Sequence, residues 1–457
     1  MNKNKPKKGL WLLFLLCPLI LVIANTAQAV SSPETKYIFN NFMLLFSAAL
    51  VMLMAAGFCM LESGLVRTKS TAVICLKNIV IYAVACLAYF VIGYNLMYID
   101  VDKYIGSFSF FTLPTPSEME LLGNPKNTSM LPNLHNSGVF SLTNVFFQMV
   151  FVATTASIIS GALAERIRLW PFFIFILVLT AFIYPVVGAW TWGNGWLAQM
   201  GFKDFAGSTI VHSVGGWAAL MGILFVGPRT GKYKKNGKVT PTPASNVTLV
   251  TLGTFILWFG WIGFNGGSVL ALDSTLNAAT MGLVVFNTNL AAVGGVIVAM
   301  FLGVFIYKRV QILWILNGAI GGLVAITAGP DIPNPVWALF IGAVGGLLAT
   351  LAVPIMDKLK IDDVVGAIPA HLVSGIWGTL AVGIFSDTPF FVQALGIVCI
   401  GAFVLLTSFA TWFILKLVMG LRVSKASEFL GQDVSELGVE AYPEFLNLDG
   451  LQGKEGL

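Results

Sequence analysis

The sequence predicts an all-α polytopic membrane protein with about eleven transmembrane helices, arranged as two inverted five-helix repeats plus one extra helix. Three observations predict it. Of 457 residues, 57% are hydrophobic and only 10% charged, against about a quarter charged in an ordinary soluble domain. Stretches of the roughly 20 apolar residues that a bilayer crossing needs follow one another from about residue 38 to residue 420. Basic residues collect in alternate loops, as they do where loops on the cytoplasmic side alternate with loops outside.

The chain opens with a basic stretch, "MNKNKPKK", an apolar stretch, "GLWLLFLLCPLILVI", and the small residues "AQA" before Val30. This is the pattern of a secretory signal, residues 1–29, cleaved to leave the mature amino terminus outside; an uncleaved first helix is the alternative. Apolar runs then place helices near 40–62, 72–97, 138–163, 168–188, 206–226, 244–264, 278–305, 310–328, 334–354, 364–385 and 390–420. Arg67 and Lys69, Arg166 and Arg168, "PRTGKYKKNGK" at 228–238, Lys308 and Arg309, Lys358 and Lys360, and Lys416, Arg422 and Lys425 mark the cytoplasmic loops. The loops between them are poor in Lys and Arg; the long 98–137 segment has only Lys103 and Lys126. An odd number of spans follows, with the amino terminus outside and the carboxyl terminus in the cytoplasm of a plasma-membrane protein. The membrane domain is 30–420 and the cytoplasmic tail 421–457. Net charge is +5, which this topology explains, so no nucleic-acid partner is expected.

The five cysteines, at 17, 59, 75, 86 and 399, form no CxxC pair and sit in apolar surroundings, as packing residues do. Polar residues inside the apolar runs carry more information. His212, in "DFAGSTIVHSVGG", begins the fifth helix, and His371, in "AIPAHLVSGIWGTL", begins the tenth. The two helices enter from opposite faces. The histidines lie roughly 9 Å and 12 Å deep at 1.5 Å per residue, in a hydrocarbon layer about 30 Å thick, so the rings can approach near mid-membrane. A single histidine in such a helix is most simply a polar residue bonded to a neighbouring helix. Two at equivalent places in the halves point to a pathway or proton relay at the repeat interface. Imidazole offers either a donor or an acceptor to a small nitrogen base and exchanges protons near neutral pH. No third His, Cys or carboxylate stands at ligand spacing, so neither a metal nor a cofactor is expected. No nucleophile, base and oxyanion group cluster as in an enzyme.

The stretches "DFAGSTIVHSVGG", "LWFGWIGFNGGS", "GALAERIR", "LNGAIGGLVAIT" and "HLVSGIWGTL" resemble, in order, the signature blocks of the ammonium transporter (Amt/Mep/Rh) family, here of the bacterial Amt type. The resemblance covers nearly the whole chain after the signal. It implies a homotrimer of eleven-helix protomers, each with its own narrow pore taking ammonium, and possible methylammonium, inward. By motif, His212 and His371 correspond to the twin pore histidines. Phe151 and Phe264 correspond to the stacked phenylalanines closing the outer mouth. Trp192 with Phe147, Phe151 and Ser268 resembles the outer ammonium recruitment site, and Asp204 the structurally important acidic residue near it. Glu62, in "MLESG", is read as a polar contact at the cytoplasmic end of the first helix.

Two positions depart from the commoner family form: Leu372 stands where glycine follows the second histidine, and Gly366 where an aspartate lies five before it. The tail "GLRVSKASEFLGQDVSELGVEAYPEF" resembles the family's carboxyl-terminal segment, which couples protomers and helps a PII-type nitrogen regulatory protein block the pore; Leu437 and Val439 replace a histidine and an acidic residue there. A solvated, unstructured tail is the alternative. A sensor of the same fold is the rival function, and family sensors usually carry an added signalling domain. Here about 37 residues follow the last helix, so transport is the expectation.

Overall fold

A computed structural model describes residues 32–124, 126, 132, 134 and 138–445. The signal expected over 1–29, with Cys17, and His135 and the end of the tail lie outside the described residues. The described chain is helical, with no β-strand. Ten helices are long and apolar enough to cross a membrane: α1 (Pro33–Leu65), α2 (Thr68–Tyr98), α3 (Ser141–Ala162), α4 (Leu169–Trp190), α5 (Ser208–Val226), α6 (Val247–Gly267), α7 (Thr275–Ile306), α9 (Pro335–Lys358), α10 (Ile368–Phe385) and α11 (Phe390–Val418). Between α7 and α9 lies the shorter apolar helix α8, Ile312–Ile326. Its 15 residues span roughly 22 Å at 1.5 Å each, less than the hydrocarbon thickness of about 30 Å. Among the described residues, then, there are ten full-length spans and one shorter apolar helix where the sequence predicts about eleven spans.

Local chemistry sets the ends. Helix α1 starts seven residues before its apolar run because the Ser32 hydroxyl accepts from Thr35 N–H at 3.1 Å and Pro33 follows. Asn246, Ser274 and Asn334 cap α6, α7 and α9 in the same way. The long segment after α2 contains a short helix, Pro116–Gly123, opened by a capping box between Thr115 and Glu118. Glu118 also accepts from Ser141 N–H and Oγ, both at 2.6 Å, which fastens that segment to the start of α3.

The packing repeats. In the first half, α3 packs on α1 and α2; in the second, α8 packs on α6 and α7. Helices α5 and α10 meet between the halves, and α11 lies against both. The core is centred on α3, whose membrane window is 89% buried, against 39% for α1 and 33% for α7. The six basic loops share one face. Glu165 accepts from Arg67, Arg229 pairs with Asp362 at 2.8 Å, and the α7–α8 connection lines a cavity with Arg229. Burial raises the Asp362 carboxyl, but Arg229 bonded to both its oxygens overcomes this and holds it down to about 2.

The described part of the tail is docked on this same face. Leu421 O and Val423 N pair with Arg168 and Arg166, and the Asp433 carboxylate accepts from Ala72 and Val73 N–H at 2.9 and 2.8 Å. Glu428 accepts from Thr230 N–H at 2.6 Å and from Arg422 at 2.7 Å. The unstructured alternative is thus set aside for residues 421–445. Burial opposes ionisation of Glu428, yet Arg422 and Thr230 hold its pKa below the ordinary value. Its contribution to docking is therefore complete above about pH 4.3 and is lost as pH falls through the lowered value. Glu428→Ala is expected to expose the tail to protease at neutral pH while the membrane domain stays intact; unchanged cleavage would show that Glu428 does not hold it.

Candidate functional site

The two histidine helices begin alike. Asp204 accepts from the N–H groups of Gly207, Ser208, Thr209 and Ile210 at 2.8–3.0 Å. Asp363 accepts from Val365, Gly366 and Ile368 at 3.3, 3.0 and 2.7 Å. Each aspartate stands eight residues before its histidine, and each helix then opens in a π-type turn that contains the histidine. Gly207 and Gly366, five residues before the histidines, are both left-handed, with φ of 112° and 75°, a conformation that disfavours any side chain. Gly366 therefore departs from the commoner family form but matches the first half of its own chain. The pattern D-x-x-G-x-x-x-x-H-x-x-x-G occurs in both halves, at 204–216 and 363–375. The inverted repeat, inferred in the sequence from topology, is thus written in the residues as well.

The final glycine of each pattern lets the helices touch. Gly216 lies against Leu372, where an added Cβ would come within 2.6 Å of the leucine Cβ. Gly375 lies against the Ser208 carbonyl and Ser213, where a Cβ would lie 2.5 Å from the hydroxyl. Each glycine therefore packs on the residue following the other histidine. Leu372, the second departure, fills the gap opposite Gly216. Gly375→Ala is expected to push α5 and α10 apart at a cost of about 1–3 kcal/mol. A wild-type melting point would contradict this.

That close crossing brings His212 Nδ1 within 3.2 Å of His371 Nδ1, so one ring donates while the other accepts. Both are buried. His212 Nε2 is buried with no protein partner, an arrangement that costs about 1–3 kcal/mol unless another group meets it. The rings belong to a longer column. From Phe147 through Phe151, Phe264, His212 and His371 to Phe58, successive centroids are 4.8, 4.0, 5.4, 5.2 and 6.1 Å apart. Phe151 and Phe264 are stacked at 26°. Trp261 flanks His212 at 5.0 Å, its indole N–H fixed on Thr327 Oγ1 at 2.8 Å. On the tail side the column opens into a cavity of about 470 Å³ lined by Phe58, Glu62, Asn317, Asp363 and His371.

At the other end, Trp192 meets Phe151 edge-on at 6.1 Å and donates its indole N–H to Asp204 O at 2.8 Å. Ser268 follows Gly267, which packs on the Phe147 ring, and its hydroxyl donates to Phe264 O at 2.8 Å. The serine oxygen keeps lone pairs that can accept. Of the residues singled out in the sequence, Trp192, Phe147, Phe151 and Ser268 lie at one end of the column, Phe264 comes next, and His212 and His371 lie beyond. Phe58 and Trp261 also belong to it, and Asp363 lines the cavity at its end. Among the described residues no group of three His, Cys, Asp or Glu side chains is placed to hold a metal.

The fold defines a multi-pass helical membrane protein with a column of aromatic and histidine rings in its core. Residues 42–442 match the family model described as Ammonium Transporter Family, and the chain belongs to that family. It is 40% identical over 442 residues to a putative ammonium transporter of Synechocystis, covering 95% of this chain and 97% of the relative. It is 37% identical to the ammonium transporter Amt2 of Archaeoglobus fulgidus, covering 87% and 86%. Among solved structures, a protein described as a sensor Amt protein superposes with a TM-score of 0.80 at 36% identity, covering 89% of this chain and all of that one. Candida albicans Mep2 gives 0.76 at 27% identity, covering 91% and 94%.

Proposed function

We propose that the chain carries ammonium through the plasma membrane into the cytoplasm, binding the ion at the Trp192, Phe147, Phe151 and Ser268 end and removing its proton. Ammonia then passes Phe151 and Phe264 and runs along His212 and His371, while the proton is transferred separately. The observation that carries this reading is the buried histidine pair at 3.2 Å, with a ring nitrogen lacking a protein partner at the centre of an aromatic column. Aromatic faces attract a cation by roughly 0.5–2 kcal/mol, and the serine oxygen can accept one N–H. Three or four such groups recruit an ion without replacing its hydration, which favours ammonia over the charged ion at the constriction. Potassium has no proton to shed and is excluded by the same physics.

The gathering of all basic loops on one face supports a cytoplasmic location for that face, with the amino terminus outside after loss of the signal 1–29, and a membrane domain of 30–420 followed by a cytoplasmic tail. The family resemblance supports a homotrimer, for which the exposed stripe Leu252, Phe255 and Phe259 of α6 offers an apolar face. The docked tail offers a surface to a PII-type regulatory protein. A pull-down without contact, with or without ATP or 2-oxoglutarate, would remove that partner.

Expression in a cell lacking its own ammonium carriers is expected to restore growth on low ammonium and to take up methylammonium. No rescue from correctly inserted protein would overturn the transport reading. The structural likeness to a protein described as a sensor gives the second reading, in which ammonium binds without flux.

A further inference from the structure

Glu62 is a buried carboxylate that the pathway above leaves unused. It lies on α1 four residues beyond Phe58, whose ring meets His371 at 6.1 Å. Four helical residues advance about 6 Å and return to the same face. Glu62 and His371 line the same 470 Å³ cavity, which has room for on the order of ten waters at about 30 Å³ each.

The carboxylate is held for a charge. Glu62 Oε2 accepts from Ser160 Oγ at 2.7 Å and from Asn78 Nδ2 at 3.2 Å. The Ser160 carbonyl in turn accepts from Lys77 Nζ at 2.8 Å, so one serine bridges an acid and a base that are each only 1% exposed. A plain polar pin between helices would be satisfied throughout, yet Asn78 Oδ1 in this cluster is buried without a protein partner. Ionisable groups are costly inside a membrane domain and mark pathways there. The groups facing Glu62 are Cys59 on its own helix and Lys77 on α2, with Arg166 behind the lysine; α6 presents Val250 and Leu257 to the cavity. The cavity is also lined by Arg229, Lys232, Asp357, Asp363 and His371.

We infer that Glu62 is the proton-accepting group on the tail side of the passage, taking through cavity water the proton that leaves His371, with Lys77 balancing its charge through Ser160. This rests on the transport reading above. As His371 Nδ1 gains a proton from His212, the N–H bond on its other ring nitrogen breaks with the electron pair staying on nitrogen, and a water molecule takes that proton. The water gives a proton to the Glu62 carboxylate, forming an O–H bond that later breaks to release the proton to water on the tail side. No other bond changes.

The test measures charge moved per methylammonium delivered in proteoliposomes, by solid-supported-membrane current and radiolabel uptake. Glu62→Gln is expected to lower this ratio at least about fivefold, a floor well below the roughly 10²- to 10⁴-fold that a positioned proton-transfer group typically contributes, and Glu62→Asp to restore most of it. A wild-type ratio in Glu62→Gln, including equal loss of current and uptake, would overturn the inference. Where leaving Lys77 unbalanced prevents folding, Glu62→Gln combined with Lys77→Met carries the same expectation. A wild-type protein that moves methylammonium without charge would overturn the separate-proton reading and the inference together. Charge in the wild type with an unchanged ratio in the variants overturns the inference alone.

Discussion

His371→Ala is expected to lower ammonium uptake at least about tenfold, a floor below the roughly 10²- to 10⁴-fold typical of a lost acid–base group, while the protein still assembles and inserts. The ring is buried and bonds only to His212 among the hydrogen-bond partners at its Nδ1, so its removal leaves the helix ends, capped by Asp363, in place. What it removes is the polar continuation of the passage between His212 and the tail-side cavity. The space left can admit water and with it hydrated cations, so potassium leakage should appear where the wild type shows none. Uptake at the wild-type level with potassium still excluded would remove the histidine pair from the pathway.

Asp204→Ala is expected to be the most damaging single substitution for the fold of the site. Four buried N–H groups lose their acceptor at once. Hydrogen bonds to a charged group are worth about 1.5–3 kcal/mol each and are not additive, so a loss of about 3–5 kcal/mol is expected. The opening turn of α5 would loosen, Trp192 would lose the fixed carbonyl that orients its indole, and His212 would no longer be held opposite its partner. Melting in detergent, with Asp204→Asn as a milder comparison that keeps one acceptor, checks this. An unaltered melting point would show that the N–H groups find other acceptors.

Much of this was legible in the sequence because a membrane domain has few polar residues. His212, His371 and Asp204 stand out against apolar runs, and the basic loops fix which helix ends lie together. Phe151, Phe264 and Trp192 were legible only through motif, since 35 phenylalanines and 12 tryptophans offer no periodic signal that separates a gate from packing. Phe58 and Trp261 were missed for that reason: their places depend on how α1 and α6 cross the histidine helices. The repeated spacing of Asp204, Gly207, His212 and Gly216 with Asp363, Gly366, His371 and Gly375 was present in the sequence. It is hidden there because the intervening residues differ, and the meaning of the glycines lies in backbone conformation and close approach. The short length of α8 was blurred too, since the run read as 310–328 holds a helix only over Ile312–Ile326.

The central claim, that ammonium is taken apart and passed along His212 and His371, is tested most directly by a rapid ammonium pulse on purified protein in liposomes on a solid-supported membrane. The wild type should give a transient inward current with ammonium and none with potassium, and His212→Ala should diminish or redirect it. A wild-type current equal for ammonium and potassium, or an ammonium current untouched by the histidine substitution, would contradict the account.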